Sequence, residues 1–257
     1  SACAARCFSK RLSASHSLNF VAQLMETTCD MIESPSVTLL EYVKSLRSIT
    51  PLLMNVSERI SAQRVIKGRG VVAKIVSGHV NWEECKISED ANAYIDELAS
   101  QCGRVWTTID LHGNLPHPLH ARTWKHLVSA GYYALLEGFA RVPSCSTEGR
   151  ASMAIDVASY TACVSPAGIQ DLLGSNIEVP AVDSSEVVHE VDVYIRAYYF
   201  PPDEMFSWIM THFCDFTEMQ MKALLTTSSQ LSADDPDAID RLHAVEDVYA
   251  KVFECLR

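Results

Sequence analysis

The chain has 257 residues, of which 48% are hydrophobic, and its formal net charge is -11. That hydrophobic content is enough for a sizeable core, so the composition excludes a disordered chain. The acidic balance argues against a nucleic-acid binder and against an anionic membrane surface as the main ligand, because both depend on basic protein surface. The same acidic balance favours neutral or basic protein partners. No apolar run approaches the roughly 18 to 20 residues that a membrane span needs.

Nine cysteines are scattered along the chain without a Cys-x-x-Cys pair. An odd number at irregular spacing is a poor disulfide framework. The sequence therefore predicts reduced, mostly buried thiols in a cytosolic protein.

The first 35 residues divide into a terminal edge and a helix. Residues 1–17 are predicted to be a flexible N-terminal edge. From Leu18 to Cys29 apolar residues recur at three- and four-residue steps, which predicts an amphipathic helix that stops before Pro35.

The next two helices are predicted to be separated at Thr50-Pro51, because proline lacks the N–H that a helix interior uses. The first of them covers about 36–47. The second continues from Leu53 towards Val76 and is weakened at Gly68 and Gly70.

Trp82 opens an irregular, charged link that leads into the clearest periodicity of the chain. Apolar residues from Ala91 to Ile109 step by three and four, which predicts a helix with one packed seam. Two prolines and a glycine between Leu111 and Leu119 predict an extended crossing, and the next helix carries Trp124.

A helix–corner–helix is predicted around Pro143, which ends one helix near Ala140. Ser146 can cap the next helix, and Glu148 places an anion in its first turn, where the helix dipole favours it. That helix is predicted to run to about Val164.

The remainder of the chain is also predicted to be helical. The predicted helices lie near 169–173, from the Asp183–Glu186 cap to Tyr198, from Pro202 to Phe213, over 217–226 and over 236–256.

No alternating strand pattern and no repeat period is present, so the fold class is predicted to be all-α. Residues 18–257 are predicted to form the helical domain, within which 18–110 and 120–257 are candidate sub-bundles.

Residue chemistry gives no strong sign of a reaction. Gly68-Arg69-Gly70-Val71-Val72-Ala73 matches a dinucleotide-binding pattern, but the pattern requires a preceding strand, and helix is predicted there. His112, His117, His120 and His126 lie close in sequence without a familiar ligand spacing. A metal-dependent helical enzyme that uses the His112–His126 region stays open as an alternative, and so does a purely structural helical spacer.

An aromatic set between Tyr194 and Trp208 suits either a core or a partner surface, because interfaces favour Tyr and Trp. Helical spacing assigns Tyr194, Tyr198 and Trp208 to the core. Tyr199 and Phe200 remain as candidate partner contacts.

From Trp82 to about Leu225 the sequence resembles the C-terminal region of the syndetin family, whose members are subunits of the endosome-associated recycling protein (EARP) tethering complex. Several motifs occur in one order, over more than half of the chain. They are Asn81-Trp82-Glu83, Tyr94-Ile95-Asp96, Trp124, Glu137-Gly138-Phe139-Ala140, Cys145-Ser146-Thr147-Glu148-Gly149-Arg150-Ala151, Met153, Asp156, Tyr194-Ile195-Arg196-Ala197-Tyr198-Tyr199, Glu204, Met205, Trp208-Ile209 and His212.

The resemblance implies an elongated multi-helix bundle of tethering-complex (CATCHR-like) type and a non-enzymatic role in endosomal recycling, without a cofactor. It implies other tether subunits as partners, with SNAREs, small GTPases or an endosomal adaptor as further candidates. It also implies a cytosolic protein held on recycling-endosome or trans-Golgi membranes through its complex. Within the matched motifs, Arg150 and Arg196 are candidates for a buried ion pair that fixes a helix corner, or for a partner contact.

Overall fold

The computed structural model describes residues 2–77, 80–87, 90–112, 119–174, 176–200, 202–228 and 243. Within these ranges the regular elements are helices, which confirms the all-α prediction. They are α1 (Ala2–Asp30), α2 (Val37–Val65), α3 (Gly68–Val76), α4 (Tyr94–His112), α5 (His120–Ala140), α6 (Thr147–Cys163), α7 (Pro166–Leu173), α8 (Ser185–Ala197), α9 (Pro202–His212) and α10 (Glu218–Ser228).

Apart from His243, the helix predicted over 236–256 lies outside the described residues. None of the described helices is both long and apolar enough to cross a bilayer.

Helix α2 differs from its prediction, because it continues through Pro51 instead of ending there. A proline inside a helix removes one hydrogen bond and costs about 3 kcal/mol. The buried side of α2 continues across the proline, with Val43 and Thr50 before it and Met54 after it. Packing on both sides of Pro51 therefore offsets the local cost, and the chain breaks only at Ile66-Lys67, before α3 begins at Gly68.

Helices α1 and α2 pack side by side in opposite directions. Ser15 donates a hydrogen bond to Ser57 at 3.3 Å, and Arg47 forms an ion pair with Glu26. Helix α1 begins at Ala2, so nearly all of the predicted flexible edge belongs to it.

The chain divides into two compact units that are discontinuous in sequence. Unit 1 contains the described residues of Ser1–Lys67, Leu98–Gly131 and Val164–Val182, and unit 2 contains the described remainder. This division differs from the predicted sub-bundles 18–110 and 120–257, whose boundary followed the chain.

The core of unit 1 includes two tryptophans whose ring centroids lie 5.8 Å apart, Trp106 and Trp124. The indole N–H of Trp106 donates to the carbonyl oxygen of Glu178 at 2.8 Å. Gly103 allows α7 to pack closely, since a Cβ there would lie 2.4 Å from a methyl group of Leu173.

The core of unit 2 is rich in tyrosine. The rings of Tyr132 and Tyr160 meet edge to face at 4.7 Å. Tyr194 packs on Phe216 at 5.3 Å and donates its hydroxyl to the carbonyl oxygen of Gln220 at 2.9 Å. Each of these phenols therefore brings a large apolar area into the core, and the hydroxyls of Tyr132 and Tyr194 are hydrogen-bonded there.

Candidate docking site

The corner between α5 and α6 follows its prediction. Helix α5 ends at Ala140 and α6 begins at Thr147. The Ser146 hydroxyl accepts the Gly149 N–H at 3.0 Å, and Glu148 lies in the first turn of α6. Ser146 therefore caps α6 in the predicted way.

Trp82 holds this corner, although the sequence placed it only at the start of an irregular link. Its indole N–H donates to the carbonyl oxygen of Ile75 at 2.9 Å. Its own carbonyl oxygen accepts both the Ser146 N–H at 2.9 Å and the Ser146 hydroxyl at 3.1 Å. The ring is buried edge to face on Phe139. The only sequence signal for this role was the presence of Trp82 in a motif of the resemblance.

Position 149 has no room for a side chain, because the backbone of Trp82 lies against this turn of α6. A Cβ at this position would lie 2.4 Å from the Trp82 carbonyl oxygen and 2.7 Å from the Cys145 sulfur. The glycine of the Cys-Ser-Thr-Glu-Gly-Arg run thus serves packing.

Arg150 is buried at the corner, with 4% of its surface exposed. Its guanidinium carbon lies 3.1 Å from the ring centroid of Tyr198, so a cation–π contact takes the place of the expected ion pair. Among the described residues, Nη1 of Arg150 has no hydrogen-bond partner. These contacts join the start of α6 to the end of α8, which suits the corner-fixing role; that role stays a prediction.

Two titratable groups beside Arg150, Cys145 and Tyr198, have raised pKa values, which favours their neutral forms. Burial raises the pKa of the Cys145 thiol to about 11, against the opposing effect of the Arg150 charge. Burial likewise raises the pKa of Tyr198, again opposed by Arg150. Since the thiolate is the nucleophilic form of cysteine, Cys145 is not activated for catalysis here.

Tyr199 and Phe200 project from the link between α8 and α9 and have exposed fractions of 53% and 38%. The Tyr199 hydroxyl donates to the carbonyl oxygen of Thr147 at 3.4 Å, so this ring reaches the first turn of α6. Arg196 lies nearby in sequence, in an exposed i,i+4 ion pair with Asp192 at 2.8 Å. That pair is exposed, unlike the buried one expected.

Three of the four predicted site residues are therefore linked through Tyr198. Arg150 is buried against the Tyr198 ring, and Tyr199 and Phe200, which are exposed, follow Tyr198 directly in the chain. We call Tyr199 and Phe200 the aromatic platform.

A second polar cluster of unit 2 surrounds the Asp156 carboxylate. Asn92 donates its backbone N–H at 2.9 Å and its side-chain N–H at 2.8 Å, and the Tyr94 hydroxyl donates as well. Burial raises the pKa of Asp156 although these donors oppose the rise. Burial and the Asp156 charge together raise the pKa of Tyr94. The cluster ties the segment before α4 to α6.

The histidines of the metal hypothesis have other neighbours where they are described. His126 lies 3.0 Å from a carboxylate oxygen of buried Glu58, which also pairs with Arg122. The His120 ring packs on Trp106 at 5.5 Å. His117 and the side chain of His112 lie outside the described residues. No group of three or more potential metal ligands occurs in the described part of the chain.

The Gly68–Ala73 pattern also has a plain structural explanation. It forms the start of α3 and follows helix α2, not a strand. The strand that precedes a dinucleotide-binding turn is therefore replaced by a helix.

Fold and site together define an all-α module in which the described site residues pack a helix corner and present aromatic side chains beside it. A family model described as "Syndetin, C-terminal" matches residues 6–242 of this chain. The chain belongs to this family. The match also takes in most of residues 1–80, which contain none of the motifs that carried the resemblance.

Curated relatives agree with this assignment. The chain is 26% identical to Syndetin of Rattus norvegicus and of Mus musculus over 137 residues, which is 52% of this chain and 13% of each relative. It is 26% identical to Syndetin of Gallus gallus over 141 residues, which is 54% of this chain and 14% of that protein. The matched part is thus a small share of the length of these relatives.

Proposed function

We propose that this chain is a non-enzymatic part of a vesicle-tethering complex that acts in endosomal recycling, and that it works as a protein–protein docking module. Its partners are other tether subunits, with SNAREs, small GTPases and an endosomal adaptor as further candidates. It is held on recycling-endosome or trans-Golgi membranes through its complex.

The aromatic platform carries this proposal. Tyrosine and phenylalanine side chains supply a large apolar contact area, and tyrosine is among the residues that dominate the binding energy of protein interfaces. Membership of the syndetin family supports the tethering role.

The residues below and beside the platform have different roles in the proposal. Arg150 is a positioning residue, because it is buried and holds Tyr198, the neighbour of Tyr199, by its cation–π contact. Arg196 is exposed and stands at the polar rim, where a charge affects the rate of association more than the affinity.

The test is recovery of named tether subunits with a tagged copy of the chain, quantified against wild type. We expect the double substitution Tyr199→Ser, Phe200→Ser to lower recovery at least tenfold, because it removes the aromatic anchors and keeps Arg150, Tyr198 and the Ser146 cap in place. Helical circular dichroism and the unfolding midpoint check that the variant is folded.

The matched control is Ile87→Ser, Met219→Ser, which removes two exposed apolar side chains of unit 2 with exposed fractions of 61% and 41%. Recovery by the control should equal that of wild type. Equal recovery by both double variants would contradict the platform as the contact. Recovery of no subunit by folded wild type would favour the spacer alternative, and a stoichiometric metal in the purified chain would favour the enzyme.

A further inference from the structure

Helix α2 has a second apolar face that nothing in the described structure covers. Its first face, which includes Val43, Thr50 and Met54, is buried. The second consists of larger apolar side chains whose exposed fractions lie between 41% and 56%. They are Tyr42, Ile49, Leu53, Val56 and Ile60.

The spacing of the second face is that of a helix-packing seam. From Tyr42 to Ile60 its members are separated by steps of seven, four, three and four, which keeps them on one side of α2. At 1.5 Å per residue the seam is about 27 Å long. A seam of this length accepts about five turns of another helix.

Helix α1 supplies the other wall. Leu18, Val21 and Met25 follow three- and four-residue spacing on α1, with Leu18 and Val21 exposed and Met25 half-buried. The cross-links Ser15–Ser57 and Glu26–Arg47 fix the antiparallel register, so Leu18 lies beside the Leu53–Val56 part of α2. Helical periodicity then brings both exposed seams to the same side of the pair, and we call the surface between them the hairpin groove.

The charge of this region is opposite to that of the rest of the chain. Residues 1–80 contain ten Lys or Arg and five Asp or Glu, whereas residues 81–257 contain eleven and twenty-seven. Apart from Glu58, which is buried, α2 carries four basic side chains and one acidic side chain. The apolar seam thus lies in a basic region of an acidic protein.

We propose that the hairpin groove binds an acidic amphipathic helix of a partner protein, which completes a three-helix bundle with α1 and α2. The inference deepens the proposed function, on which it rests, by adding a second contact surface in unit 1. Apolar residues at a and d positions would fill the seam. Glu or Asp near one end of the helix would face Arg64, four residues after Ile60, and Arg11, seven residues before Leu18, which are exposed and continue the two rows.

A helix fits these observations better than the other occupants. Two seams of three- and four-residue spacing leave a groove between cylinders, which a third cylinder fills, whereas a lipid surface favours one broad apolar face. A second copy of the hairpin would bring two basic regions together, which costs free energy.

The probe is a fluorescent 21-residue peptide with Leu at a and d and Glu at e and g of three heptads, titrated with the full chain and followed by anisotropy. Its lysine counterpart has Lys at e and g. We expect the acidic peptide to bind at least tenfold more tightly than the lysine peptide, and to weaken as salt is raised.

Leu53→Glu, Val56→Glu should weaken binding of the acidic peptide at least tenfold, because it places like charges in the seam. Ser48→Glu, Asn55→Glu adds the same charge to exposed positions on another side of α2 and should bind like wild type. Leu53→Ala, Val56→Ala is a milder pair that keeps the helix folded and should give an intermediate loss.

Four results would overturn the proposal: no binding by wild type, equal binding of both peptides, equal binding by both glutamate variants, or tighter binding of phosphatidylserine vesicles than of the acidic peptide. A wild-type dimer that the seam variant converts to monomer would assign the groove to a second copy. Peptide binding that appears only after residues 229–257 are removed would assign it to that segment.

Recovery of tether subunits is measured on the same variants. The two surfaces act separately if the Leu53→Glu, Val56→Glu variant no longer binds the peptide but still recovers the subunits that the Tyr199→Ser, Phe200→Ser variant fails to recover. If wild type binds the peptide and recovers no subunit, the proposed function fails while the groove stands. If it recovers subunits and binds no peptide, only the groove fails.

Discussion

Large apolar side chains are buried at the α5–α6 corner, whereas side chains of similar type are exposed on the α1–α2 hairpin. At the corner, Trp82 and Phe139 are buried, and the polar atoms of Trp82 are hydrogen-bonded to Ile75 and Ser146. On the hairpin, Phe20 and Leu53 are more than half exposed.

This difference separates stability from binding. Buried apolar area and satisfied polar groups stabilise the fold, so the corner residues are constrained by packing. Exposed apolar side chains on a helix pair add little to folding, and a contiguous set of them marks an interaction surface. The motifs that identify the family thus stand largely at the corner, while the hairpin offers the larger free surface.

The largest expected effect tests the corner directly. Trp82→Ala should lower the free energy of unfolding by about 3–5 kcal/mol, because it removes a buried aromatic ring and its hydrogen bond to Ile75. Phe20→Ala on the hairpin should change it by less than about 0.5 kcal/mol. Urea denaturation followed by helical circular dichroism measures both, and similar losses at the two positions would break the comparison.

A smaller effect is expected where a side chain is added. Gly149→Ala should cost about 1–3 kcal/mol, because the new methyl group would overlap the backbone oxygen of Trp82, which cannot move without disturbing the Ser146 cap. Gly70→Ala is the matched control, since it lies in helix α3 with no atom within 4 Å of the new Cβ. The control should be neutral or slightly stabilising, and the reverse order of the two would refute the packing role of Gly149.

The smallest expected effect is a pH dependence at Asp156. Burial raises the pKa of Asp156 above its unfolded value of 3.8, so the folded chain holds this proton to higher pH than the unfolded chain. Protonated Asp156 therefore stabilises the folded chain at low pH, and this contribution to the free energy of unfolding declines as pH rises above about 3.8. The total decline is about 1.4 kcal/mol for each tenfold difference in proton affinity between the folded and the unfolded chain.

Asp156→Asn removes that titration, so the stability of wild type relative to this variant should fall between pH 4 and 7, as reported by denaturation at each pH. Asp30→Asn, at an exposed position of the hairpin, is the control for the substitution itself. A relative stability of wild type that rises over this range would show that the donors from Asn92 and Tyr94 outweigh burial.

Local sequence signals predicted several features of the fold. Each of three features depends only on residues a few positions away. They are the end of α5 before Pro143, the Ser146 cap and the start of α9 at Pro202. Helical spacing predicted Tyr194 and Tyr198 as buried and left Tyr199 and Phe200 as exposed, which the structure confirms. Trp208, which was also assigned to the core, is only half-buried.

Features that depend on distant contacts were not predictable in this way. Pro51 looked like a helix end, because the compensation comes from burial of one side of α2 on both sides of the proline, which local sequence does not show. Trp82 looked like part of a link, because its partners Ile75, Phe139 and Ser146 are brought to it only by the fold. The cation–π contact of Arg150 with Tyr198 joins residues 48 positions apart.

The sequence by itself determined the helical class, most helix ends and the seams along each helix, because these depend on capping, proline chemistry and periodicity within a few residues. Only the tertiary structure decided which seam is buried. Periodicity is the same for a seam that meets another helix of the chain and for one that meets solvent, and α2 carries one of each.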